Sequence, residues 1–284
     1  MIVGTTTAAV RAAVADARRR DARIGLVPTM GFLHEGHLSL VDLARERGAD
    51  FVVVSIFVNP LQFGPNEDFT RYPRDEERDR VLLEKRGVDL LFLPAGETMV
   101  PPDSVTRVEL GGPASPLEGE RRPGHFSGVA TIVTKLFNIV QPDFAVFGQK
   151  DAQQCAVIRR LVRDLAIPVE IEIGPTRREA DGLAMSSRNA YLTPDQRKAA
   201  PRLYAALSAG REALERGLPA KAVEGRMREI ASADPSIAID YLRLVAASTF
   251  DAPANGDREL VLAGAVRIGS TRLIDNIPVH ETNA

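Results

Sequence analysis

The sequence predicts an α/β fold: a Rossmann-like parallel sheet in an N-terminal unit, residues 1–175, and a smaller α+β unit, residues 176–284. Three observations carry this. Up to Pro175, short apolar runs alternate with amphipathic stretches, the pattern of βαβ units. The run Phe51-Val-Val-Val-Ser-Ile-Phe57 is apolar without alternation, which suits a strand covered on both faces. Beyond Pro175 the pattern changes to two helical stretches and then alternating runs, as in a small antiparallel sheet.

A first helical pattern ends at Arg18-Arg-Arg20, where positive charge complements the helix dipole. Ile24 to Pro28 reads as a strand, and 35–47 as a helix with Leu38, Val41 and Ala44 on one face. The strand 51–57 follows. The charged stretch 74–86 reads as a helix with a solvated face, leading to a strand from Val88 to Leu93. Gly128 to Val140 and Asp151 to Ala166 read as helices, each followed by a strand, Phe144 to Phe147 and Val169 to Ile173. Between Leu93 and Gly128 lies the longest irregular region, 94–126, with six prolines. In the second unit a loop, Thr176 to Asn189, precedes helical patterns at 195–216 and 219–232. Strand-like runs follow at 237–245, 259–266 and 267–274.

Composition excludes several classes of function. The chain has 38 acidic and 36 basic residues, a net charge of −2, so no broad cationic face is implied and nucleic acid is not expected as a partner. No apolar stretch is long enough for a bilayer, and no charged-then-apolar leader pattern is visible; a cytoplasmic protein without membrane partners is expected. The one cysteine, Cys155, excludes an internal disulfide framework and a multi-cysteine zinc site. Its place on an apolar helical pattern reads as buried and inert.

Neither a P-loop nor a G-x-G-x-x-G turn occurs. What stands out is Val27-Pro-Thr-Met-Gly-Phe-Leu-His-Glu-Gly-His-Leu38, which runs from strand through a glycine turn into a helix. His34 and His37 fall at the helix N-terminus, where unpaired backbone N–H groups and the dipole favour an anion. Two imidazoles there make a donor-rich cradle for a polyphosphate. Zinc is the competing reading, but the spacing is three rather than the four of H-E-x-x-H, and a third ligand would have to come from afar. No metal ligand is assigned. Lys150 is the next candidate, since lysine supplies only five of the 36 bases and an ammonium suits phosphate oxygens. Ser186-Ser187-Arg188, in a loop after Asp181-Gly182, offers hydroxyls, backbone donors and a guanidinium.

Around these residues the sequence resembles the pantoate–β-alanine ligase (pantothenate synthetase) family of the H-x-G-H nucleotidylyltransferase superfamily. Similar segments occur in the family's order over essentially the full length. They include Ser55-Ile-Phe-Val-Asn-Pro-Leu-Gln-Phe63, Arg71-Tyr-Pro-Arg74, Arg122-Pro-Gly-His-Phe126, Phe147-Gly-Gln-Lys-Asp151, Arg178 to Asn189 and Leu273-Ile-Asp-Asn276. The resemblance implies a ligase that activates (R)-pantoate with ATP as pantoyl adenylate, releasing pyrophosphate, and then joins it to β-alanine, releasing AMP. A related enzyme that stops after adenylyl transfer is the alternative. The ATP site implied is Met30, Gly31, Phe32, Leu33, His34, Glu35, Gly36 and His37 with Gly148, Gln149, Lys150 and Asp151, and Arg177, Met185, Ser186, Ser187 and Arg188. Of these His37, His34 and Lys150 are implied as catalytic, His37 as proton donor. Arg177 stands where the family is more often apolar, which a backbone contact tolerates. The substrate acid is expected at Gln62, Gln154, Asn59, Pro28 and Met30, with Arg122 and His125 at the rim. Mg²⁺ is implied as the ion on the triphosphate, and a homodimer as the assembly.

Overall fold

The computed structural model describes residues 1–280. Six parallel strands form the first sheet: β1 (Ile2–Gly4), β2 (Ile24–Thr29), β3 (Phe51–Ile56), β4 (Leu90–Phe92), β5 (Phe144–Gly148) and β6 (Glu170–Gly174). Their order is β1-β4-β3-β2-β5-β6. Two helices, α1 (Thr7–Arg18) and α2 (Glu35–Glu46), flank β2, and α3 (Glu76–Lys85) precedes β4. Short α4 (Gly96–Met99) and α5 (Glu118–Arg121) interrupt the irregular 94–126 stretch, and α6 (His125–Val140) and α7 (Ala152–Asp164) flank β5. Alternation of side chains along the strands builds two cores. Phe51 and Val53 pack with Val10, Val133 and Ile158, on the α1, α6 and α7 face. Val52 and Val54 pack with Leu38, Val41 and Leu83, on the α2 and α3 face.

The second unit holds α8 (Pro194–Ala199), α9 (Arg202–Glu215) and α10 (Ala220–Ser232). They precede an antiparallel meander of β7 (Ile237–Ala246), β8 (Glu259–Ile268) and β9 (Thr271–His280). One face of the meander packs on α9 and α10 through Leu203, Leu207, Met227 and Leu262. The other face carries Tyr241, Val261, Ala263 and Ala265, which pack on Ala152 and Ala156 at the start of α7. Small side chains there let the second sheet lie close to the helix that follows β5.

Three expectations are corrected. The short edge strand β1 escaped the periodicity because three residues are too few to show one. The helical pattern 195–216 is two helices, since Pro201 has no N–H to continue the first. The last strand begins at Thr271, because Gly269 (φ +60°) and Ser270 form a two-residue hairpin turn in which Ile268 pairs with Thr271.

Candidate active site

Chain connections run from β2 toward β3 and β4 on one side and from β5 toward β6 on the other. The crevice beyond the carboxyl ends of β2 and β5 is therefore the topological switch point of the sheet, where open α/β folds bind ligands. A cleft of about 940 Å³ opens there, walled by β2, β3, α6, the turn after β5, the 176–189 loop and β9.

The turn between β2 and α2 is the most constrained part of this cleft. Gly31 (φ +82°) and Phe32 (φ +50°) both take left-handed backbone, which glycine accepts freely and phenylalanine only when held. Asp79 of α3 holds it: its carboxylate, 1% exposed, accepts the Phe32 and Leu33 N–H groups at 2.7 Å each. Burial raises the Asp79 pKa against the opposing pull of those two donors. The stretch read as a solvated charged face thus contributes one carboxylate inward. Aspartate at that helical position in a run of charges gives no local sign of it.

His34 is the N-cap of α2, and its Nδ1 accepts the Gly36 N–H at 3.1 Å, while His37 Nδ1 accepts the His34 N–H at 3.3 Å. The expected cradle of unpaired backbone donors is accordingly corrected. Two of those donors are taken by the imidazoles, so the neutral rings carry their protons on Nε2. The rings lie 4.0 Å apart between centroids. Burial and then the Lys150 ammonium lower the His34 pKa to about 4; burial, His34 and Lys150 hold His37 well below its ordinary value. Both are neutral Nε2–H donors at physiological pH. Gly36 is required because a Cβ there would meet the His34 ring at 2.8 Å.

Across the switch point, Lys150 sits in a 3₁₀ turn, its ammonium 3.6 Å from Asp151. That turn is clamped from the second unit. Asn276 on β9, 4% exposed, donates to the Gln149 and Lys150 carbonyls at 2.9 Å and accepts from the Gln149 side chain at 3.1 Å. Its neighbour Asp275 takes a bidentate pair from Arg178, at 2.6 and 3.0 Å, whose guanidinium also stacks 3.9 Å over Tyr204. Residues Asp275-Asn276 thereby tie both the Lys150 turn and the 176–189 loop to one strand.

Another wall of the cleft is built on a 3₁₀ turn, Pro60–Gln62, that lies against α6 where Gly128 leaves room; a Cβ there would meet the Leu61 carbonyl. Gln62 reaches the cleft beside Met30, donating to its sulfur at 3.3 Å. The Gln62 carbonyl is held by His125 Nδ1 at 2.9 Å and Arg122 at 3.3 Å, and Arg122 also binds Glu67 bidentately at 2.7 Å. Burial and Arg122 lower the His125 pKa to about 4, so the rim pair positions Gln62 as a neutral donor and a guanidinium. Gln154 and Pro28 also line the cleft.

On the opposite rim, Ser187 donates to the Phe32 carbonyl at 3.2 Å, and Ser186 Oγ accepts the Arg188 N–H at 3.3 Å. Arg188 forms a bidentate pair with Asp68, 2.9 Å on both arms, and Tyr191 donates to the Arg71 carbonyl at 2.9 Å. Met185 and Arg177 line the cleft, with the Met185 N–H on the Arg177 carbonyl at 2.9 Å.

Most residues picked out from the sequence thus meet in one cleft, with five exceptions. Gly31, Phe32 and Leu33 shape the turn rather than line the cleft, Gln149 is turned onto Asn276, and Glu35 points outward to Arg86 at 2.7 Å. Asn59 is 2% exposed and is turned onto Gln62. Its amide is committed to the Leu61 N–H, the Gly128 carbonyl and the Gln62 side chain, each at 3.0 Å. Among the described residues no three His, Cys, Asp or Glu side chains gather as a metal site, and no helix is long and apolar enough to cross a membrane.

Residues 2–278 match the family model described as pantoate-beta-alanine ligase. A pantothenate synthetase from Herpetosiphon aurantiacus is 55% identical over 280 residues, 98% of this chain and 99% of that protein. A crystal structure of the pantothenate synthetase of Thermus thermophilus superposes with a TM-score of 0.92 at 51% identity, covering 98% of this chain and 99% of that one. The pantoate-beta-alanine ligase of Francisella tularensis, complexed with beta-gamma ATP and beta-alanine, superposes at 0.81 with 34% identity, covering 100% of this chain and 99% of that one. A cleft at the switch point, donor imidazoles lining it and likeness along the whole chain lead to one assignment: the chain belongs to the pantoate–β-alanine ligase family.

Proposed function

We propose that this cleft carries out both half-reactions of the family's ATP-dependent condensation of pantoate with β-alanine. The observation that carries the reading is the pair of neutral Nε2–H donors at the α2 N-terminus, facing Lys150 across the switch point. In the first step a pantoate carboxylate oxygen attacks the α-phosphorus of ATP, and the bond to the bridging oxygen breaks to release pyrophosphate. Charge builds on the departing oxygens, so the step needs fixed donors and a cation more than a nucleophile on the protein. His34, His37 and Lys150 supply these. Because burial keeps its imidazole neutral, His37 acts as a hydrogen-bond donor rather than as the proton donor the family resemblance implies. In the second step the β-alanine amine attacks the acyl carbon of pantoyl adenylate, AMP departs, and the amide of pantothenate forms.

Gln62 and Gln154 hold the pantoate hydroxyls, with Met30 and Pro28 against its gem-dimethyl group and Asn59 fixing Gln62. Gly148, Met185 and the Arg177 backbone hold adenosine, while Ser186, Ser187 and Arg188 face the β- and γ-phosphates. Mg²⁺ arrives on the nucleotide, held by phosphate oxygens and water, which fits a cleft whose described residues gather no cluster of protein ligands. Residues 176–284 cover the nucleotide as a lid. The assembly is a homodimer in the cytoplasm.

The test is exchange of labelled pyrophosphate into ATP with Mg²⁺ and without β-alanine. Exchange that depends on pantoate, and not on other hydroxy acids, supports the adenylate step. A folded, ATP-binding protein without exchange overturns it.

A further inference from the structure

Three local irregularities converge on one buried carboxylate that the mechanism does not use. Leu117, the residue before α5, takes a left-handed φ of +50°. Gly119, inside α5, is required because a Cβ there would meet the Ala114 carbonyl. Asp240 is the extra residue of a β-bulge in β7, where Ile239 pairs with Val266 and Tyr241 with Ala265. Such features cost free energy and persist where the surrounding structure holds them. Here they meet at Glu118, which is 5% exposed.

Gln153 of α7, itself buried, accepts the Glu118 N–H at 3.1 Å and donates to the Pro113 and Pro116 carbonyls, which fixes where α5 starts. The Glu118 carboxylate then reaches out of the first unit. Its two oxygens accept from Arg272 of β9 at 2.7 Å each, and Oε1 also accepts from the Tyr241 hydroxyl at 2.7 Å. Neighbours on a strand normally point to opposite faces. The bulge instead brings Asp240 and Tyr241 to the same cluster, where Asp240 accepts from Arg272 Nε at 2.7 Å. All three guanidinium nitrogens of Arg272 are thereby engaged, as a desolvated charge requires. Burial pushes the Glu118 pKa up, and Arg272 and Tyr241 more than reverse this, so the group is a carboxylate.

This joint holds β9 in place. Arg272, Ile274 and Asn276 share the strand face that meets the first unit: Arg272 on Glu118, Ile274 against the cluster of Ala152 and Ala156, and Asn276 on the Gln149 and Lys150 carbonyls. At ~3.3 Å per residue, the first and last of these contacts lie about 13 Å apart. A strand pinned at both ends of that span resists sliding and tilting, so the Asn276 amide meets the Lys150 turn in one place. We propose that Glu118 is a positioning residue for the Lys150 turn: by fixing Arg272 it fixes β9, and through Asn276 it holds Lys150 where the leaving pyrophosphate forms. The proposal rests on the adenylation reading above. In this role Glu118 acts through a strand of the other unit and not on substrate.

The test measures pantoate-dependent pyrophosphate exchange by the full-length protein, and amide hydrogen exchange across 148–152, in wild type, Glu118→Gln, Asn276→Ala and the double variant. Glu118→Gln keeps the shape of the side chain and gives up its charge. It should lower kcat about five-fold and speed amide exchange in the 148–152 turn, as Asn276→Ala does. The pantoate KM should stay within two-fold, because Glu67 still holds Arg122. In the Asn276→Ala background the same substitution should lower kcat by less than two-fold, since the link is already cut. Glu118→Asp, which restores the charge, should recover part of the loss. If Glu118→Gln does not fold, Arg272→Lys, which keeps the charge and gives up the two-armed pair, takes its place with the same expected pattern. An unchanged kcat overturns the proposal. So does a five-fold loss that persists in the Asn276→Ala background, or one that leaves the 148–152 amides as protected as in wild type. A wild type without pantoate-dependent exchange overturns the functional reading itself, while the amide exchange still decides whether Glu118 holds the turn.

Discussion

The floor and the mouth of the cleft are held by contacts of different kinds. On the floor, backbone is fixed by buried side chains: Asp79 grips two N–H groups of the Gly31–Leu33 turn, and Asn276 grips two carbonyls of the Lys150 turn. Both gripping residues are under 5% exposed. At the mouth, the 64–72 and 186–191 segments meet through the Arg188–Asp68 pair and a single hydrogen bond from Tyr191 to the Arg71 carbonyl, while Ser187 reaches across to the Phe32 carbonyl. Arg188 keeps 28% of its side-chain surface open. The groups proposed to meet the reacting phosphate are therefore preorganised by buried contacts, whereas the segments at the mouth are joined by fewer and more exposed ones. This division suits a reaction in which electrostatic positioning supplies the rate and two products must leave.

The contrast can be broken most severely at the floor. His37→Ala should lower pantoate-dependent pyrophosphate exchange by roughly 10²–10³ with the fold retained, as circular dichroism and thermal melting would show. A near-normal rate would remove His37 from the step. Asp79→Ala leaves two N–H groups unpaired and a left-handed Phe32 unsupported. It should cost about 3 kcal/mol in denaturant unfolding and slow exchange as well, although Asp79 does not line the cleft. Asn276→Ala should reduce kcat about ten-fold while sparing the pantoate KM, since it loosens Lys150 and leaves Gln62 alone. At the mouth, Asp68→Asn removes a charge but keeps a hydrogen-bond acceptor, and should change exchange by less than about three-fold. An Asp68 effect as large as that of Asp79 would erase the distinction between the two regions.

Much of the floor was legible in the sequence because strand, glycine and N-capping histidines are neighbours along the chain. The H-x-G-H turn and the Lys150 turn could be placed from local pattern, and the parallel sheet put them at one switch point. What fixes them was not legible. Asp79 acts on a turn 46 residues earlier, and Asn276 on one 126 residues earlier, so nothing in their own surroundings marks them. Asn59 resembled a substrate amide because the sequence shows its chemistry and not its burial. Arg188 resembled a free phosphate donor, and its pairing with Asp68 depends on two loops meeting in space.

Acid should expose the histidines' role. His34, His37 and His125 are held neutral by burial, while the unfolded chain takes up protons near pH 6.5. With more protons bound unfolded than folded, stability should fall as pH drops from about 6.5 toward 4 and level off above that window. The most direct test of the central claim follows the imidazole nitrogens of His34 and His37 by ¹⁵N NMR in the ligand-free protein as pH is lowered from 8 to 5. The expected result is that both rings keep a bare Nδ1 and a protonated Nε2 throughout. A second proton arriving on either ring near pH 6.5 would contradict the account, and would return His37 to the role of general acid.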